Sequence, residues 1–365
     1  MLARTARWLL AAGWLLGVAG AHADGRAAVT TPDTLRLATW DIYCDPARPD
    51  QPLGWREFEQ RTGAKLRAVV FATNDDILAA VRAGRVDACI AGCDMAPVLI
   101  EEGLTAPLPT ERLAHYRDLL PNLRHVRYGR RDGRDHCVPF TWGVMALAYD
   151  TSVFPTPPAS WQVLWDPAWR GRVAHWDDIS VLWTAALAAG HREVFALQGQ
   201  ALWEAGRRAA RLCESGVLLW QDQETSVRAM ATGQVVLNVA WPDAASNANR
   251  WPGRTSGTWA LAYPQEGVTA FIDNLCVARG TPRFELALAY VEIALGAEVQ
   301  RALGDNLDFS PVCAEIAAGL TPARRAQLHL DDPNFLNRAY LWRPIPNRSE
   351  YQRIWDLARG GRLLQ

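Results

Sequence analysis

The chain has 365 residues, 49% of them hydrophobic, with 38 basic and 39 acidic side chains and a formal charge of -1. That balance, with no basic block, excludes nucleic acid and anionic membrane surfaces as partners held by bulk charge, so any charge selectivity must be local. The length is more than one hydrophobic core usually serves, and two domains are expected.

The N-terminus reads as a secretion signal. Arg4 and Arg7 precede an apolar run from Trp8 to Ala21, and Ala21-His22-Ala23 supplies the small-x-small cleavage pattern. Residues 1–23 are therefore expected to be removed in the periplasm, leaving a mature chain that starts near Asp24. A short apolar strand, Leu35 to Thr39, runs into Trp40-Asp41-Ile42-Tyr43, and Trp55 to Arg61 reads as a helix stopped by Gly63. A strand at Leu66 to Phe71, a helix from Asp75 to Arg82 with Asn74 as N-cap, and a strand at Ala88 to Ala91 follow. Strand, helix, strand, helix, strand argues α/β architecture with a mostly parallel sheet, whose ligands sit beyond the carboxyl ends of the strands.

An extended apolar stretch runs from Val138 to Tyr149, and a Trp- and Pro-rich segment from Pro155 to Trp169 marks a change of region. A second alternating set then begins: a strand at Val173 to Trp176, helices near Val181 to Ala189 and Ala201 to Arg211, and a strand near Val235 to Ala240. A further strand is expected at Phe271 to Val277 and an amphipathic helix at Arg283 to Leu295, with no new sheet in the C-terminal third. The seven cysteines (Cys44, Cys89, Cys93, Cys137, Cys213, Cys276 and Cys313) allow one or two disulfides in an oxidising compartment, with the pairing left open. Cys89 and Cys93 lie four apart but no matching pair follows at zinc-site spacing, and neither a metal nor another cofactor is expected.

Polar and aromatic residues gather where the strands end: Trp40-Asp41-x-Tyr43, Gly92-x-Asp94, Asp177-Asp178, Trp241-Pro242-Asp243 and Phe271-Ile272-Asp273. An organic ammonium needs this pairing, carboxylates to replace its hydration and aromatic faces to hold its methylenes and attract the charge. Taken singly, each has a plainer explanation, tryptophan as core and aspartate as helix N-cap. Their recurrence at five strand ends favours a site. Asp273 is the best single candidate, because a carboxylate inside an apolar strand is costly unless a cation meets it. No nucleophile elbow, Walker loop, zinc-protease helix or dinucleotide turn is present, and His175 beside Asp177 is a weak base–orienter pair, so no enzyme is expected.

These residues resemble the periplasmic polyamine-binding proteins, the spermidine/putrescine-binding family of ABC importers. The resemblance runs from about Leu35 to the C-terminus, carried by Trp40-x-x-Tyr43, Asp87 to Gly103, Val138-Pro139-Phe140-Thr141-Trp142-Gly143, Ser160-Trp161-x-x-Leu164-Trp165, Asp177-Asp178, Gly233 to Trp241, Phe271-x-Asp273 and Ser310-Pro311. It implies a two-lobed periplasmic binding protein fold, type II, with residues 24–149 and 270–312 in one lobe, residues 150–269 and 313–365 in the other, and hinge segments near Tyr149, Ala270 and Pro311. It further implies a polyamine held by Trp40, Tyr43, Asp178, Trp241, Phe271 and Asp273, with Asp243 near another family carboxylate. Departures from the family pattern stand at Val181, at Gly92 and Asp94, at Asp308 where tyrosine is usual, and at Arg343, which suits a ligand bearing a carboxylate as well as an amine. The expected partner is an ABC permease or, in the rival reading, the periplasmic domain of a membrane sensor, with the binding protein itself a monomer.

Overall fold

The computed structural model describes residues 33–71 and 73–364, so the expected signal peptide lies outside the described residues. Eleven strands make one sheet, whose main path runs Leu218–Trp220, Val173–Trp176, Leu237–Ala240, Cys137–Asp150, Thr269–Val277, Ala88–Gly92, Thr34–Thr39, Lys65–Val70. At one end Thr34–Thr39 pairs in parallel with both Lys65–Val70 and Ala88–Gly92. At the other, Val173–Trp176 pairs in parallel with both Leu218–Trp220 and Leu237–Ala240. The middle departs from the parallel expectation, since Cys137–Asp150 and Thr269–Val277 pair antiparallel with each other and with their outer neighbours. Parallel neighbours need a helical crossover. These two strands are each entered from a short strand instead, Arg134–Asp135 and Trp259–Ala262.

The inner strands Ala88–Gly92 and Leu237–Ala240 are buried along their whole length, as strands covered on both faces are. In Ala88–Gly92, Ala88 and Ile90 enter one buried cluster while Cys89 and Ala91 enter another. At the far end Val173, Leu237 and Val239 face one cluster, and Ala174, Trp220 and Ala240 the opposite one. All fourteen residues of Cys137–Asp150 are buried. Its pairing partner changes between Met145, opposite Thr269, and Ala146, opposite Ala240. The core it serves changes at Gly143, with Trp142 in one cluster and Val144 in the next. Tyr149, where a hinge was expected, pairs with Leu237 and Ala260 inside the second set.

Two local features prepare the site. Thr73, not Asn74, caps the helix Asn74–Arg82, its Oγ1 accepting the Asp76 amide at 3.2 Å, which frees the Asn74 side chain. The last helix, Arg348–Arg359, buries Tyr351, Ile354, Trp355 and Ala358 at helical spacing. It can lie close to Gly199–Glu214 because Gly206 has no side chain: a Cβ there would stand 2.5 Å from Ile354 Cγ2. Residues 348 and 352 occupy another face of this helix.

Cys137 and Cys276 form a disulfide between directly opposed residues of the two central strands, with Cα atoms 4.5 Å apart. That is the spacing of a non-hydrogen-bonded antiparallel pair. Cys44, Cys89, Cys93, Cys213 and Cys313 are free thiols.

Candidate ligand-binding cavity

Every parallel strand ends at one cavity of about 590 Å³. Thr34–Thr39 delivers Trp40 and Asp41, Lys65–Val70 delivers Phe71, and Ala88–Gly92 delivers Gly92 and Asp94. From the other end Val173–Trp176 delivers Trp176 and Asp178, Leu218–Trp220 delivers Trp220 to Gln223, and Leu237–Ala240 delivers Trp241. This is the crevice beyond the carboxyl ends of strands that α/β topology favours. Phe271 and Asp273 enter from the central strand.

The aromatic wall is continuous. Trp241 stands 5.2 Å from Trp176, 5.4 Å from Phe271 and 5.9 Å from Trp342 between ring centroids. Trp342 touches Trp183 at 5.3 Å, and Phe271 touches Phe309 at 5.1 Å. Phe271 fits because its strand partner is Gly143, where a Cβ would fall 2.7 Å from the ring. Edge-to-face rings of this kind leave π faces for a cation or a methylene chain.

Asp273 is held where the ladder slips. Asp273 pairs with Thr141 but Asn274 with Pro139, leaving Phe140 as the extra residue of a bulge. Pro139 has no N–H for the ladder, which makes this the place for an irregularity, and bulges re-aim side chains. The Asp273 Oδ2 accepts a short hydrogen bond from the Tyr43 hydroxyl. Burial pushes the Asp273 carboxyl up to about 7, with the Tyr43 bond working against the rise and the charge of Asp94 adding to it. The same interaction and burial hold the Tyr43 hydroxyl well above its usual range.

Asp94 folds back over Gly92, where a Cβ would lie 2.5 Å from Asp94 Oδ1. Burial raises its carboxyl to about 6, opposed by its own backbone amide and by Arg348. Asn74 Nδ2 approaches Asp94 Oδ1 at 3.4 Å. Asp178, one residue before the N-cap position Ile179, braces the start of Ser180–Ala188 by accepting the Ser180 amide at 2.9 Å and still lines the cavity. Burial raises it too, against the pull of that amide and of Arg348. Six carboxylates in all line the cavity (Asp41, Asp75, Asp94, Asp178, Asp222 and Asp273) against one guanidinium, Arg348. Of these, the buried Asp94, Asp178 and Asp273 ionise reluctantly until a cation compensates them.

Of the residues expected from sequence, Trp40, Asp41, Asp94, Asp178, Trp241, Phe271 and Asp273 line the cavity. The structure places the other four elsewhere. Tyr43 is buried behind Trp40 and reaches ligand space only through Asp273. Asp243 is buried beneath the lining residue Gln223, whose Nε2 donates to Oδ2 at 2.6 Å, with Asn247 donating at 2.9 Å. Burial raises the Asp243 carboxyl to about 7. Asp308 is removed from the set by Arg324, which takes its charge at 2.6 Å. Its left-handed φ of 51° turns the chain so that the next residue, Phe309, meets the cavity. Arg343 points outward to an ion pair with the exposed Glu193. His175 is fully buried and bonded to the Trp176 carbonyl and to Thr184 Oγ1, both at 2.9 Å, while Asp177 pairs with Arg359. Burial lowers the imidazole to about 4, so it forms no base–orienter pair.

Lining residues that sequence reasoning missed include Asn74, Asp75, Trp176, Trp183, Trp220 to Gln223, Phe309, Trp342, Arg348 and Gln352. The Trp220 group obeys the strand-end rule, but its strand has only three residues and carries no period. Trp342 and Arg348 come from the tail, where nothing local marks a site.

The family described as bacterial extracellular solute-binding protein matches residues 55–329. A putrescine/cadaverine-binding protein of Pseudomonas aeruginosa is 23% identical over 357 residues, 91% of each chain. Among solved structures, a putative spermidine/putrescine ABC transporter from Listeria monocytogenes superposes with a TM-score of 0.75 at 17% identity, covering 90% of this chain and 99% of its own. The PBP MotA from A. tumefaciens B6, in complex with glucopine, gives 0.69 at 17% identity over 89% of this chain and 99% of its own. The fold is thus shared by proteins with chemically different ligands, and the chain belongs to the bacterial extracellular solute-binding protein family.

Proposed function

We propose that the protein captures a small organic cation carrying amino groups, of the putrescine or spermidine class, in the periplasm, and hands it unchanged to an ABC permease. The observation that carries this reading is the pairing of six carboxylates and one guanidinium with a wall of Trp and Phe rings in a single cavity. An ammonium over a desolvated indole gains about 2 kcal/mol. The larger contribution comes from carboxylates such as Asp273 and Asp94, whose ionisation becomes favourable once a cation is beside them. The name of the Pseudomonas aeruginosa relative agrees with this class.

In this reading two lobes form around the two ends of the sheet and close on the ligand by bending where the central strands cross, near Gly143 to Ala146 and Thr269 to Phe271. Both lobes contribute carboxylates, so closure is stabilised by contacts the open form lacks. The test is calorimetry of the purified chain with putrescine, cadaverine, spermidine and γ-aminobutyrate, alongside Asp273→Asn. Micromolar or tighter binding of an amine, weakened at least tenfold in the variant, is expected. Heat from none of the amines in a folded protein would refute the reading.

A further inference from the structure

Arg348 is the one cationic side chain lining the cavity among the described residues. Its backbone is anchored, because the same helix buries Tyr351, Ile354 and Trp355, and the Tyr351 hydroxyl donates to the Val194 carbonyl at 2.8 Å. From that anchored helix the Arg348 Nη2 reaches to 3.6 Å from Asp75 Oδ2, on the helix Asn74–Arg82 at the opposite end of the sheet. Its charge also acts on Asp94 and Asp178, favouring their ionised forms. One end of the cavity therefore holds a resident guanidinium paired with Asp75, whose charge reaches as far as Asp94 and Asp178. The other end holds Asp273, met by the Tyr43 hydroxyl.

Resting on the amine reading, we propose that Arg348 sets the length of the ligand, admitting a short diamine and turning away the third ammonium of a longer polyamine. One ammonium of a diamine sits at Asp273 and the other at Asp94, two residues beyond Gly92, the strand partner of Asp273, and short of the Arg348–Asp75 ion pair. A third would have to share the Arg348 end, where a half-exposed like charge already stands beside Asp75, and specificity gained by repulsion of this kind reaches about tenfold. A carboxylate-bearing ligand fits less well at the same place. Arg348 would attract its anion, but Asp75, Asp94 and Asp178 around the guanidinium would repel it.

The experiment compares the wild-type chain with Arg348→Gln and Arg348→Lys by calorimetry against putrescine, cadaverine, spermidine and γ-aminobutyrate. The wild type is expected to prefer the diamines. Arg348→Gln should move the spermidine-to-putrescine affinity ratio about tenfold toward spermidine, and Arg348→Lys, which keeps the charge, should leave it near wild type. An unchanged ratio in Arg348→Gln with amines still bound overturns the role of Arg348 and leaves the amine reading standing. Binding of γ-aminobutyrate in preference to the diamines, lost in Arg348→Gln, makes Arg348 a carboxylate partner and overturns it differently. Silence from every amine with the wild-type chain overturns the amine reading and this inference together.

Discussion

Tyr43 donates its hydroxyl hydrogen to Oδ2 of Asp273, joining residues 230 apart in sequence beneath the cavity floor. The bond favours the carboxylate form of Asp273, which burial disfavours. Tyr43→Phe removes the donor without emptying the site, so the carboxyl should titrate still higher. Amine affinity at pH 7 is then expected to fall several-fold and to recover by about pH 8.5, where Asp273 ionises in either protein. Calorimetry at the two pH values checks this; a loss of the same size at both would make Tyr43 a packing residue only.

Asp273 should also mark the pH dependence of stability in protein without ligand. Its folded value is about 7, whereas an unfolded aspartate titrates near 3.9. Between these values the folded protein keeps a proton that the unfolded chain has released. The stability contributed by the neutral carboxyl is therefore complete below about pH 4 and lost as pH rises through 7. Asp273→Asn is neutral throughout and still accepts from Tyr43. Thermal or urea unfolding should show the variant gaining on wild type by about 3 kcal/mol between pH 4.5 and pH 8. Parallel curves would mean that Asp273 titrates normally.

The sequence made the strands legible where local chemistry is strong. Val173–Trp176 falls where it was expected, and Thr34–Thr39 and Trp55–Thr62 lie within one residue, because alternation, Gly63 and the flanking turns all agree. Five cavity residues, Trp40, Asp41, Asp94, Asp178 and Trp241, followed from one topological rule about strand ends, whereas Phe271 and Asp273 lie within Thr269–Val277, where a carboxylate in an apolar strand was the signal. The errors came from long-range pairing. Asp308 looks like a free carboxylate until Arg324 is folded onto it, and Arg343 looks like a tail ligand until the last helix puts Arg348 in its place. Neither partner is visible in a local window. Asn74 was assigned the capping role because asparagine caps as well as threonine, and only the backbone decides that Thr73 holds it.

The contrast between the two tail arginines is itself testable. Arg343 is exposed, ion-paired with Glu193 and outside the cavity. Exposed pairs contribute about 0–1 kcal/mol to stability. Arg343→Gln should leave amine affinity within about twofold of wild type and move the melting temperature little. A tenfold change in affinity would return Arg343 to the site.

Gly143 tests the cavity floor. A methyl group there would sit 2.7 Å from Phe271 Cζ and 3.3 Å from Pro242 Cγ, between the central strand and the segment that carries Trp241. The Phe271 ring is packed against Trp241, Trp342 and Phe309, so it can give way only by shifting toward the cavity it lines. Gly143→Ala is expected to cost about 1–3 kcal/mol of stability, the usual range for overpacking a close-packed site. It should weaken amine binding as the ring is displaced. Wild-type affinity in a folded variant would show that Phe271 is not a wall of the site.

The cross-strand disulfide makes a prediction that needs no ligand. Cys137 and Cys276 are directly opposed on the two central strands, 139 residues apart in sequence, three residues along from Asp273. Thiol titration of the denatured, unreduced protein should find five free thiols among the seven cysteines. Closing so long a loop restricts the unfolded chain, so replacing both residues with alanine is expected to cost about 2–4 kcal/mol. The consequence for binding is smaller, because the strand ladder from Thr269 to Cys276 holds Asp273 in register by its own hydrogen bonds. A variant that loses stability yet keeps its amine affinity would separate the two roles; seven titratable thiols in protein purified without reductant would show the pair unformed.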